Sequence, residues 1–329
     1  MSKFFIKLFV FALPLLLALA WFNLYLDPIN VVKMEEGPRP MDPDQRFLKL
    51  KFLCENPSKY KSFIWGSSRA GKIDVQKSLD TKWYNLSSSQ SLLGEWVEDM
   101  QYLYSQGIRP DTMIFALDDF TFILDKTQHD NKWIYQPYRD SFLWQAWFYG
   151  HIWLAQPVAE RLDKLWNTSV KNSVSYDLYH SGVIRVPTHV DKGIEADSVL
   201  HNKHKTFKVP RTYDAKAFEI QNDIFTLIDQ INTFCTQHKI VALWVFNPIH
   251  QKTLLNHDQT KFAELKLNLQ KRISYWDFSG LNSVTQNNYF WYETSHPRPI
   301  VGNWILNRMF QKADSTLPQD FGVYKIKIE

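Results

Sequence analysis

The sequence predicts an α/β fold, a parallel sheet flanked by helices, preceded by one N-terminal transmembrane helix. Three observations predict it. Apolar runs of strand length alternate with longer segments of helical periodicity, the order that builds parallel sheets. Several of those runs end in Ser, Asn or Asp, at the carboxyl ends of strands where ligands bind in open sheets. Finally, Lys3 and Lys7 precede an apolar run from Leu8 to Leu26, broken only by Pro14 and Asn23. Its length is close to the roughly 20 residues that cross a bilayer core.

Trp21 and Tyr25 stand near the end of that run, where aromatic belts meet the membrane surface. Ala18-Leu19-Ala20 resembles a signal-cleavage site, but the apolar run continues past it, so residues 1–27 read as an uncleaved anchor. The two lysines hold the N-terminus in the cytoplasm and send the body outward. Residues 28–61 carry Pro28, Pro38, Pro40, Pro43 and Pro57 and read as a membrane-proximal linker ending in a short helix, about Gln45 to Cys54.

The body, residues 62–329, opens with a strand at Ser62 to Trp65 and the turn Gly66-Ser67-Ser68-Arg69. Glycine permits a tight turn, and the serines fall where a helix should begin, with amides free to hold an oxyanion. Taken alone, such a tripeptide reads as a Gly-Ser turn with an N-cap serine. A second strand, Trp83 to Leu86, runs into Ser87-Ser88-Ser89-Gln90. An amphipathic helix follows from Leu92 to Gln106, and a third strand, Met113 to Leu117, ends in Asp118-Asp119.

The order is then interrupted by an aromatic insertion at about 132–212. Lys132 to Trp166 holds five tryptophans and reads as one or two helices, packed on the body or touching a bilayer or lipid-linked substrate. Asn167-Thr168-Ser169 matches a glycosylation sequon. Ser169 to Pro210 has little periodicity. Its histidines, His180, His189, His201 and His204, lack a carboxylate or cysteine to complete a metal set and read as solvated side chains on a loop whose length suits one that covers a site or is mobile. Regular order resumes with a helix from about Asp214 to His238, a strand Ile240 to Phe246 leading to Asn247-Pro248-Ile249-His250, and a helix Thr260 to Ile273. A strand Tyr275 to Phe278 and a closing helix Pro299 to Phe310 complete the body.

Composition bounds the function. Net charge is +4 with no Lys/Arg block that would track phosphates, which argues against nucleic acid as a partner. Cys54 and Cys235 have no metal-ligand spacing around them and read as unpaired thiols. The 13 Trp, 15 Tyr and 23 Phe suit membrane interfaces and sugar faces as well as cores.

The polar strand ends converge on one edge of a parallel sheet, and near it falls Glu293-Thr294-Ser295-His296. A carboxylate three residues before a histidine meets Nδ1 within one turn and leaves Nε2 for a serine. A serine hydroxyl becomes a nucleophile when such a base takes its proton. The candidate catalytic residues are Ser68, His296 and Glu293, with Ser67 an alternative nucleophile. Ser89, Asp118, Arg69 and His250 are candidate oxyanion- or substrate-binding residues, and this chemistry needs no metal or organic cofactor.

In sequence order, Gly66-Ser67-Ser68, Asn85-Leu86-Ser87-Ser88-Ser89, Leu117-Asp118-Asp119 and Glu293-x-x-His296 resemble the blocks of the SGNH (GDSL-like) hydrolase superfamily. The stretch Tyr292 to Gly302 is similar to the end motif of its bacterial, membrane-anchored branch associated with envelope polysaccharides. The resemblance spans about Ser62 to Phe310. It implies a flavodoxin-like sheet, Ser68 as nucleophile, His296 as base and Glu293 where aspartate usually stands. It also implies a serine esterase or O-acyltransferase acting on an acylated cell-envelope glycan. The protein would sit in a bacterial inner membrane with its catalytic domain periplasmic or extracellular, alongside envelope-assembly proteins. The alternative is a non-catalytic binding or assembly protein. Two positions depart from the pattern. The second-block glycine is absent from Ser87 to Gln90, and the third-block asparagine is Asp118, where a protonated carboxyl or another donor is required.

Overall fold

The structure is a computed structural model that describes residues 2–26, 39–40, 45–130, 132, 135–154, 174–210 and 219–328. Its strands are β1 (Arg39–Pro40), β2 (Ser62–Gly66), β3 (Trp83–Asn85), β4 (Thr112–Leu117), β5 (Ser175–Tyr176), β6 (Ile184–Arg185), β7 (Val241–Phe246), β8 (Tyr275–Asp277) and β9 (Val323–Lys325). The main sheet has the order β3-β2-β4-β7-β8-β9. All neighbours are parallel except β9, which runs antiparallel on the edge beside β8. Counted within this sheet, the parallel strands run 2-1-3-4-5, a doubly wound order whose crevice lies between β2 and β4. Gly66 pairs with Ala116 and Leu117 with Phe246, so Ser67, Asp118 and Asn247 follow one another along the same carboxyl edge.

Side-chain alternation decides the two faces. Phe63, Trp65, Met113, Phe115 and Phe246 bury against the helices Leu93–Ser105 and Ile224–Gln237, through Trp96, Met100, Ile228 and Ile231. Ile64, Ile114, Ala116 and Val245 face the closing helix Pro299–Met309, through Val301, Trp304 and Ile305. Between the faces Gly66 is required by space rather than by a left-handed turn. A Cβ there would lie 2.6 Å from the Ala70 Cβ and 3.2 Å from the Ala116 Cβ.

Several elements differ from expectation. The serine turn leads into a 3₁₀ turn, Ala70–Lys72, and a single helical turn, Val75–Ser78, not a full helix, so amides near Ser68 belong to a turn. The helix Gln45–Glu55, expected as the end of a linker, is part of the core, with Phe47, Leu48, Leu50 and Leu53 buried. The helix expected from Asp214 starts at Ile224; residues 214–218 lie outside the described ones. So do residues 28–38 and 41–44 of the expected linker, Trp133, Trp166 and the sequon Asn167-Thr168-Ser169. Residues 174–210 hold more order than expected: β5 and β6 join β1 in a small antiparallel sheet, and the helices Thr188–Ala196 and Ser198–Asn202 follow. The N-terminal helix Ser2–Leu26 contains a 23-residue stretch, Lys3–Tyr25, of mean hydropathy 2.3, long and apolar enough to cross a membrane. Both cysteines are free.

Candidate active site

Ser68 follows the carboxyl end of β2, and His296 lies in the loop just before the closing helix. The fold brings them together across 228 residues, with Ser68 Oγ 2.9 Å from His296 Nε2. His296 Nδ1 bonds to Glu293 Oε1, which also accepts the His296 backbone N–H at 2.9 Å; the Ser295 N–H donates to Oε2 at 2.7 Å. The carboxylate is thus fixed by its own loop before it orients the ring. Ser67 points elsewhere: it is fully buried, and its Oγ accepts the Arg69 amide at 3.1 Å. The serine that meets the imidazole is Ser68, which is only half-buried.

The electrostatics suit a base. Burial pushes His296 below its ordinary value, reinforced by the Lys72 and Arg69 charges and opposed by Glu293, so the ring is neutral near pH 7. Burial alone would raise the Glu293 carboxyl, but the His296 bond and charge, the Ser295 amide and Lys72 bring it down to about 2. An ionised carboxylate beside a neutral imidazole, with Nε2 facing a hydroxyl, is the arrangement that abstracts a serine proton.

Arg69, the residue after Ser68, braces the site from beneath. Its buried guanidinium pairs with Asp119, reaches Asp118 Oδ1 at 3.4 Å, and contacts Ser295 Oγ at 3.4 Å, next to the histidine. One side chain therefore links the serine turn, the end of β4 and the histidine loop. His257 Nε2 extends the network to Asp119 Oδ2 at 2.8 Å. Asp118 is fully buried within this network; Asn247 Nδ2 donates to its Oδ1 at 3.1 Å, and its Oδ2 has no partner among the described residues. Burial pushes the Asp118 carboxyl up, against the pull of Arg69 and of hydrogen bonds from Ser67 and Asn247.

Ser89 lies in the turn after β3, which the Ser88 amide ties to Gly66 O at 3.1 Å, beside the serine turn. His250 is engaged elsewhere: Nε2 bonds Asn288 Oδ1 at 2.9 Å, Nδ1 accepts the Lys252 amide at 3.2 Å, and the ring packs on Phe207 and Trp291. Among the described residues no hydrogen bond joins His250 to Ser68, His296 or Glu293.

Three supports were missed from sequence. Lys49 is fully buried and its Nζ donates to the carbonyls of Asn85 (2.9 Å), Ser87 (2.6 Å) and Gly182 (2.7 Å), fixing the turn that carries Ser89. Burial pushes its pKa down to about 7, while three carbonyls match the three hydrogens of an ammonium. Lys72 is buried with Nζ 4.6 Å from the Tyr292 ring centroid, and burial likewise lowers it to about 7. Asp191, on the helix Thr188–Ala196, accepts from Tyr292 OH at 2.9 Å and Arg298 Nε at 2.8 Å, clamping both ends of the histidine loop. The expected covering loop is therefore a brace. Only Asp191's place on an amphipathic helix could have signalled it.

No family model matches the chain, and no curated protein matches its sequence. Among the described residues no group of three or more His, Cys, Asp or Glu side chains could hold a metal ion.

Proposed function

We propose that the chain is an SGNH-like serine esterase or O-acyltransferase, held by a single N-terminal span with its body on the outer side of a bacterial inner membrane, acting on an acylated envelope glycan. The observation that carries this is the Ser68–His296–Glu293 chain of contacts, 2.9 Å at its serine end. The strand order 2-1-3-4-5 supports the flavodoxin-like form such enzymes take. Ser68 Oγ attacks the ester carbonyl while His296 Nε2 takes its proton, and Glu293 steadies the imidazolium. Turn amides at Ser68 and Ser89 hold the oxyanion. His296 then gives the proton to the departing alkoxide, leaving an acyl-serine. Water or a glycan hydroxyl, deprotonated by His296, attacks that acyl group and restores Ser68. The His296 and Glu293 side chains keep about a quarter of their surface exposed, an opening through which an ester carried on a larger substrate can reach Ser68.

One observation favours the non-catalytic alternative, a glycan-binding or assembly protein: Asp118, where the pattern has an asparagine donor, is wholly buried. Hydrolysis of soluble acyl esters and release of acetate from O-acetylated glycan by the full-length protein decide between them. Activity lost in Ser68→Ala and in His296→Ala, with the double variant little worse than either, supports the enzyme. Equal rates in Ser68→Ala and the parent, or no turnover with intact glycan binding, support the alternative.

A further inference from the structure

The helix Phe142–Leu154 contains no charged residue; beyond its aromatic rings only Gln145 and His151 are polar. At 13 residues it is about 20 Å long, too short for a hydrocarbon core of about 30 Å but a fitting length for a re-entrant or interfacial segment. Its inner side belongs to the body: Phe148 is fully buried, its ring stacked on Phe47 with centroids 3.6 Å apart. Its outer side is exposed at the described positions. Phe142 is 82% exposed, Leu143 78% and Trp147 41%. Beside Leu143 and Trp147 opens a cavity of about 700 Å³, aromatic at Trp144 and Tyr102 and polar at its other end, where Gln106, Arg139, Asp140 and Ser141 line it.

Isolated exposed apolar residues need no explanation. This face differs in its neighbour, because the helix lies directly against the N-terminal helix Ser2–Leu26. That helix is exposed on most of its surface, and its covered positions, Ala12, Ala20, Phe22 and Asn23, fall on one side. A segment packed along a membrane span shares the span's solvent. Tryptophans concentrated at such a place suit the boundary between acyl chains and headgroups.

We propose that Phe142–Leu154 is a second membrane element, lying in the outer leaflet beside the N-terminal span with Phe142, Leu143 and Trp147 against lipid. It seats the body on the bilayer through two points instead of a single tether. The inference rests on the N-terminal helix residing in a bilayer and is independent of any reaction at Ser68.

The test uses the full-length chain in nanodiscs, with Cys54→Ala and Cys235→Ala as background and an environment-sensitive fluorophore at Leu143→Cys. A second variant, Phe142→Cys, gives an independent reading, and Val323→Cys, on the exposed edge strand, serves as the water-facing control. Labels at 142 and 143 are expected to be quenched several-fold more by lipid-borne nitroxide than by aqueous iodide, and the label at 323 the reverse. Iodide quenching at 142 and 143 equal to that at 323 would overturn the proposal. So would labels shielded from both quenchers together with disulfide-linked dimers of Leu143→Cys, which would seat a second copy on this face.

Discussion

Arg69→Met tests the link between the serine turn and the histidine loop. The substitution keeps much of the side chain's bulk and removes a guanidinium that faces Asp118, Asp119 and Ser295. Both carboxylates are buried, and removing one partner of such a pair costs about 3–5 kcal/mol. His257 still faces Asp119 and Asn247 still donates to Asp118, which places the loss at the lower end, about 3 kcal/mol. At about 2–4 °C per kcal/mol for a domain somewhat smaller than this one, Tm falls by about 5–10 °C. The pH dependence fixes the cause. Burial alone would raise Asp119, but Arg69 and His257 hold it well below the usual carboxylate range. Its contribution to stability is therefore present above the unfolded value of 3.8 and lost as pH falls through the depressed one. Without Arg69 the folded-state pKa values of this carboxylate pair rise, so the variant gains, relative to the parent, as pH falls from neutral to mildly acidic. Thermal unfolding of the solubilised full-length chain, followed by tryptophan fluorescence across that range, measures both effects. An unchanged Tm, or a gap that widens on acidification, would refute the bracing role.

Lys49→Met leaves the carbonyls of Asn85, Ser87 and Gly182 buried without their donor; at about 1–3 kcal/mol for an unsatisfied group, stability falls by at least about 2 kcal/mol. Urea unfolding measures it. Activity should rise with pH as His296 loses its proton, with a midpoint below 6.5, because burial lowers that group. Glu293→Gln removes the bond that favours the imidazolium, so the midpoint moves lower still while kcat drops, as a pH profile of kcat/KM and kcat shows. Asp118→Asn keeps an acceptor for Asn247 and supplies a neutral amide, so turnover is unchanged or higher in steady-state assays.

The parts of the fold legible in the sequence are those with a one-dimensional period. Met113 to Leu117 and Ile240 to Phe246 are apolar runs of strand length, and they form β4 and β7 within one residue of expectation. Ser68, Glu293 and His296 were legible because their residue types and local spacing limit their roles, although their meeting depends on the sheet. Lys49 was not legible: its partners are main-chain carbonyls, which leave no mark in side-chain identity, and a lysine in a mixed helix looks solvated. Arg69 reads from sequence as a candidate oxyanion- or substrate-binding residue, whereas the partners that make it a brace are 49, 50 and 226 residues away. The two-residue strands β5 and β6 carry no period, and β9, as short as β3 and β8, lacks the buried apolar run that marks those two, its Val323 and Tyr324 being exposed. The helix Gln45–Glu55 is legible almost to the residue, but its place in the core is not, because Phe47 and Leu50 pack through contacts that local composition does not encode.

The most direct measurement is the mapped site of a fluorophosphonate adduct. The full-length protein is treated with the probe at neutral pH, digested, and the labelled peptide sequenced by mass spectrometry. A single adduct on Ser68 is expected, absent from His296→Ala and unaffected by Ser67→Ala in folded protein, because Ser68 Oγ lies against the His296 imidazole and Ser67 Oγ does not. Unlabelled native protein, an adduct on Ser67, or labelling of Ser68 that persists in His296→Ala would contradict the account.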